Sequence, residues 1–176
     1  MSENPMRSIR IEKVVINVGI GEPGERLDKA EDMLKRIAKT ITGNDYKPVR
    51  TVAKKKIPKW GIRPGLKIGL KLTLRGEDAE KFLRAALEAV ENKIPARSFD
   101  EHGNFSFGIH EYIDLPGIKY DPKVGIFGMD VCVSLERPGY RVKRRKVRRA
   151  KVGKTHLITK DEAIQFIKEK YGVEVI

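Results

Sequence analysis

RTVAKKKIPKWGIRPGLKIGLKLTLR, residues 50–75, decides the fold and points to the function. Its second half alternates throughout: Leu66, Ile68, Leu70, Leu72 and Leu74 fall on one side, and Lys67, Gly69, Lys71, Thr73 and Arg75 on the other. Period two predicts a half-buried strand, with one face on a core and a cationic face outside. Its first half carries Arg50, Lys54, Lys55, Lys56, Lys59 and Arg63 with no acid. Two prolines, two glycines and Trp60 within 57–65 predict an ordered or semi-ordered loop rather than a helix. Ile57 and Trp60 among cations exceed what a merely solvated loop needs, and an aromatic there can stack on a base or pack on a partner. A basic loop feeding a basic-faced strand has the form of a nucleic-acid platform.

The charge of the whole chain agrees. Its 37 Lys and Arg against 24 Asp and Glu give +13, but the excess is localised. Six cations lie in 50–63 and ten in 137–154 (RPGYRVKRRKVRRAKVGK). Without those sixteen, 21 cations face 24 acids, a net of −3. Two segregated basic patches on a slightly acidic body indicate a polyanionic partner, nucleic acid ahead of a membrane surface. The second patch contributes Arg141, Lys143, Arg144, Arg145, Lys146, Arg148 and Arg149 as further candidate nucleic-acid contacts. Its partial alternation (Val142, Val147, Val152) leaves its conformation open.

At 176 residues the chain reads as a single domain, 1–176, carrying the basic segment 137–154 and a C-terminal helix at 159–171. One cysteine, Cys132, and three scattered histidines predict neither a disulfide framework nor a metal site. No apolar run reaches membrane-span length and the N-terminus lacks a signal core, so the expectation is a cytoplasmic protein without a membrane partner.

Strands are expected at 9–18, 47–52, 66–75, 107–112 and 128–136. An amphipathic helix is expected from Glu25 to Thr42, closed by Gly43-Asn44. A second helix opens at Gly76 and ends at Pro95. Thr159-x-x-Glu162 is a capping box ahead of the last helix. Loops fill 96–106 and 113–126. Two pairs of neighbouring strands lack room for a crossover helix. The expected fold class is therefore α+β, a mainly antiparallel sheet with helices on one face and long basic loops.

Gly19-x-Gly21-x-x-Gly24 follows a strand and opens a helix, as a dinucleotide fingerprint does. Pro23 removes a donor, Glu22 and Glu25 repel phosphate, and repeated parallel units are missing, so a tight turn is the preferred reading. No cofactor and no catalytic residue is expected. A free-standing RNA-binding regulator or a nucleotide-dependent enzyme using this turn remains the alternative.

The blocks IEKVVINVGIGE (11–22), ITGNDYKPVRTVAKKKIPKWGIRPGLKIGLKLTLRG (41–76), SFDEHGNFSFGIHEYIDLPGIKYD (98–121) and GMDVCVSLERPG (128–139) resemble, in this order, the large-subunit ribosomal protein L-five family. The short N-terminus and the added basic C-terminal segment resemble its archaeal branch. The resemblance implies a non-catalytic protein that binds 5S rRNA and helps attach it in the central protuberance. It implies large-subunit rRNA, neighbouring central-protuberance proteins, peptidyl-site tRNA and a small-subunit protein across an intersubunit bridge as further partners. By motif match it implies Asn17, Thr73 and Arg75 as 5S rRNA contacts; Lys67 and Lys71 join them from the strand's outer face. It places Lys54, Lys55, Lys56, Lys59 and Arg63, with Trp60 among them, on a tRNA-facing loop. The chain departs from the family pattern at TGNDYKPV, longer and without the usual glutamine, and at His102, where an arginine is usual.

Overall fold

Three stretches of apolar residues at period two become neighbouring strands in the computed structural model, which describes residues 4–122 and 124–176. They are β1 (Arg10–Gly19), β3 (Lys67–Leu74) and β6 (Met129–Glu136). Two shorter strands, β2 (Val49–Val52) and β5 (Phe105–Ile109), complete a sheet of order β2-β3-β1-β6-β5. Every neighbour in it is antiparallel. Register aligns the apolar sets: Ile16 lies opposite Leu72 and Val131, and Val14 opposite Leu74 and Val133. All of these are buried.

Two helices cover that apolar face, α1 (Glu25–Thr42) against β3 and α2 (Gly76–Ala89) against β1. Their inward stripes are Leu27, Ala30, Leu34, Ile37 and Ala38 on α1, and Ala79, Phe82, Leu83, Ala86 and Leu87 on α2. Gly43 ends α1 in the left-handed conformation (φ 82°), its N–H donating to Lys39 O at 2.8 Å. The TGNDYKPV segment acquires a role here. Asn44 and the Tyr46 hydroxyl both donate to Asp78 at the start of α2, and together they hold its carboxyl below the ordinary value. The extra residues therefore join the end of one helix to the beginning of the next.

One expected element is displaced. The strand expected at 107–112 is observed at 105–109, because Phe105, Phe107 and Ile109 alternate inward opposite Val133, Val131 and Met129. Tyr112 instead begins a short 3-10 turn, stacks on Phe127 at 4.8 Å and accepts the Asp121 N–H, which ties residues 112 and 121 together. Two strands too short to carry a period escaped the sequence reading. β4 (Lys93–Ile94) pairs in parallel with β7 (Glu174–Val175), and the chain enters β4 through Glu91 and Asn92, both left-handed. The capping box is formed as expected: α3 (Lys160–Tyr171) starts from Thr159, whose hydroxyl and Glu162 satisfy each other's backbone N–H groups.

The segment 137–154 folds back rather than trailing as a tail. Arg137, counted among the basic run, is 4% exposed. It donates to the carbonyls of Arg7, His156 and Leu157 and pairs with Glu162 at 2.8 Å. Tyr140 is buried beside it, donating to His156 O and accepting from Ile158 N. Arg137 thus holds the C-terminal helix to the sheet and is withdrawn from the set of polyanion ligands. Replacing Arg137 with Ala removes the side-chain donor from the Arg7 and Leu157 carbonyls and the ion pair from Glu162, which keeps its bond from Thr159 N, and should cost about 3 kcal/mol in urea denaturation. At Gly69 an added Cβ would stand 2.8 Å from both Thr51 Oγ1 and Val18 O. Gly69→Ala should therefore destabilise by about 1–3 kcal/mol in the same measurement, and parental stability would refute this packing.

Candidate nucleic-acid interface

With α1 and α2 on one face, alternation sends the opposite residues outward, with no helix among the described residues over them. β1 contributes Lys13, Val15 and Asn17. β3 contributes Lys71 and Thr73, β6 Asp130, Cys132 and Ser134, and β5 Ser106 and Gly108. The cross-strand pairs Asn17–Lys71, Val15–Thr73, Val15–Cys132 and Ser106–Cys132 place these side chains in one plane. Most are small, so the face is shallow and a flat group can lie close to the backbone. Asn17 donates to Asp130 at 3.4 Å.

Lys67 stands apart from Lys71. The β2–β3 register shifts between Thr51 and Val52, leaving Ile68 as the extra residue on β3 and breaking the alternation at that point. Lys67 then lines a cleft with Glu31, Lys47, Pro48, Val49 and Arg50 at the sheet edge. Arg50 belongs to the helix side: it pairs with Glu31 at 2.6 Å and Asp28 at 2.8 Å. Burial pushes the Glu31 carboxyl up, but Lys35 and Arg50 outweigh it and hold the group below its ordinary value. Arg50 is therefore a structural cation, and the basic loop proper starts at Lys54.

That loop is an ordered extension of the β2–β3 hairpin. Ala53 N donates to Leu66 O and Gly65 N to Ala53 O, and Ile57 and Ile62 exchange both backbone bonds around a 3-10 turn at Pro58–Trp60. Ala53 and Ile62 are buried, which gives the hairpin its own small apolar floor. Trp60 is 68% exposed at the tip. Lys54, Lys55, Lys56, Lys59 and Arg63 are exposed around it, and no described residue offers them an acid.

The second basic patch lies at the other end of β3. Arg141, Arg145, Lys146, Arg148 and Arg149 are exposed. Lys143 lies 4.6 Å over the Tyr140 ring. Arg144 is tied down by Glu12 and Glu136, alongside Arg75 and Arg10. The two acids of this cluster escaped the sequence reading. Their signal is a fault in the pattern, since Glu12 and Glu136 interrupt strands that otherwise alternate. The seven steps along the eight residues of β3 span about 23 Å at about 3.3 Å each, so the two cationic patches are well separated.

At the Gly19–Gly24 turn, the N–H groups of Ile20 and Gly21 both donate to Ile68 O. Two of the turn's donors are thus spent on the sheet, and Gly21 (φ 86°) and Gly24 (φ 117°) occupy backbone conformations that a tight turn requires of glycine. Among the described residues no three His, Cys, Asp or Glu side chains gather as a metal site.

Sequence comparison gives this arrangement a family. A model of the ribosomal L5 family C-terminus matches residues 67–166, and one of ribosomal protein L5 matches residues 4–63. The large ribosomal subunit protein uL5 of Nanoarchaeum equitans is 54% identical over 175 residues, covering 99% of both chains. That of Methanospirillum hungatei is 52% identical over 172 residues, 98% of this chain and 99% of the relative. That of Sulfurisphaera tokodaii is 50% identical over 174 residues, 98% of this chain and 95% of the relative. The chain belongs to the ribosomal protein L5 family, whose members are non-catalytic structural constituents of the large ribosomal subunit.

Proposed function

We propose that this protein anchors 5S rRNA in the central protuberance, with the open sheet face against the RNA and the basic hairpin directed at peptidyl-site tRNA. The observation that carries the reading is the uncovered face itself, a plane of small side chains with Lys13 and Lys71 on it and cationic patches at both ends. Small residues let ribose and base edges approach, and the flanking cations meet phosphates. Asn17, Thr73 and Arg75 lie on this face or at its rim, and Lys67 meets the same RNA from the edge cleft. The hairpin suits a different RNA, because it projects beyond the sheet and carries an exposed aromatic among five unpaired cations. Contacts with large-subunit rRNA through 137–154, with neighbouring central-protuberance proteins and with a small-subunit protein across a bridge extend the same placement; the last two rest on family resemblance alone.

A filter-binding titration against 5S rRNA and an unrelated RNA of equal length, across a salt series, tests the anchor. The 5S complex should persist at physiological salt while the unrelated one is lost. Lys71→Ala should lower the log–log salt slope by roughly 0.7–0.9, the loss of one phosphate contact. Neutralising Lys54, Lys55 and Lys56 should leave the 5S slope unchanged. Equal affinity for both RNAs, with equal slopes, would contradict the proposal.

A further inference from the structure

At the β3 end remote from the hairpin, two carboxylates are held almost out of water. The Glu12 side chain is 10% exposed and that of Glu136 8%. Glu12 is the extra residue of a bulge in β1 between Ile11 and Lys13, so the irregularity in the strand is what aims it here. Arg144 reaches both: its guanidinium donates to Glu12 at 2.7 Å and to Glu136. Arg10 takes the other Glu136 oxygen at 2.9 Å, and Arg75 donates to the Glu12 carbonyl at 3.4 Å.

These acids are out of place on a surface built only to attract phosphate. Their field opposes RNA, and burying them costs desolvation unless each is fully paired. What they achieve is placement. Ten cations in eighteen residues repel one another and would splay into solvent. Arg144 instead clamps the run to the sheet, 132 residues away in sequence from Glu12. Ala150 N closes on Val142 O, Arg145 donates to Arg148 O at 2.7 Å, and Arg148 is held left-handed at φ 51°. A non-glycine residue in that region persists only where its surroundings impose it. Arg141, Lys146 and Arg149 are then displayed in a defined arrangement beside Arg75.

We infer that Glu12 and Glu136 are positioning residues for RNA: through Arg144 they dock the cationic loop 141–151 at the end of the open face, so that loop and sheet engage one continuous stretch of phosphate backbone. The inference rests on the 5S rRNA reading above. It also accounts for the two patches being at opposite ends of β3, one joined to the sheet and one projecting from it.

The test uses the full chain with Glu12→Gln and Glu136→Gln, singly and together, each with and without Arg144→Ala, in 5S rRNA filter binding over a salt series. Charge alone predicts that each amide raises affinity. Docking predicts a loss of about three- to tenfold, the scale of re-ordering a loop on binding, with a shallower salt slope that mere loss of stability would not produce. Arg144→Ala should then add almost nothing in the double-amide background. Unchanged or higher affinity in the amides, or an equal Arg144→Ala loss in both backgrounds, overturns the inference. Limited trypsin digestion supplies a second readout without RNA: cleavage after Arg141, Lys146 and Arg149 should accelerate in the amides, and equal rates overturn docking. If Glu136→Gln fails to fold, Glu12→Gln carries both measurements. A parent chain that binds 5S rRNA no better than the unrelated RNA overturns the anchor reading instead, and the tryptic rates still decide whether the carboxylates dock the loop.

Discussion

One-sided burial of the central sheet is the constraint on which the rest depends. Val14, Ile16, Val18, Leu70, Leu72 and Leu74 are almost wholly withdrawn from water beneath α1 and α2. Each such side chain contributes about 1.5–3 kcal/mol by burial. A one-residue slip of β1 or β3 would turn its set outward and forfeit on the order of 5–10 kcal/mol, comparable with the whole stability of a domain. Register is therefore not negotiable. Lys13, Asn17, Lys71 and Thr73 face outward because their neighbours must face inward, and the functional face is the complement of the core.

Charge is distributed by the same logic. Cations near acids in the folded chain are spent on structure: Arg50 on Glu31 and Asp28, Arg137 on Glu162 and three carbonyls, Arg144 on Glu12 and Glu136. Among the cations to which no described residue offers an acid, five crowd the hairpin at one end of β3 (Lys54, Lys55, Lys56, Lys59 and Arg63) and a second group crowds the loop after β6 at the other. The net charge of +13 thus divides into a structural share and a displayed share. Only the displayed share bears on affinity for a polyanion.

Much of this was legible in the sequence. Helix α1 occupies the predicted span 25–42, and the capping box at Thr159 forms, because both rest on local interactions that tertiary context did not override. The alternation of 66–75 identified β3, the neighbour of the central strand β1, and its outward side at Lys71 and Thr73. It overreached at Lys67, where a bulge against β2 breaks the period, a pairing irregularity that no single strand's pattern contains. The basic run 137–154 was counted correctly but could not be partitioned. Arg137 and Arg144 differ from their neighbours only in what the fold brings to them from residues 7, 12, 136 and 162. Pairs as short as β4 and β7 are set by where the chain ends meet, not by periodicity.

The most direct test of the central claim is lysine footprinting by amine acylation and mass spectrometry, with and without 5S rRNA. The open-face account predicts that Lys13 and Lys71 are protected on binding, while Lys29, Lys35 and Lys81 in the helical layer react at their free rates. Protection of the helical lysines, with Lys13 and Lys71 still reactive, would place the RNA on the opposite side of the molecule and contradict the account.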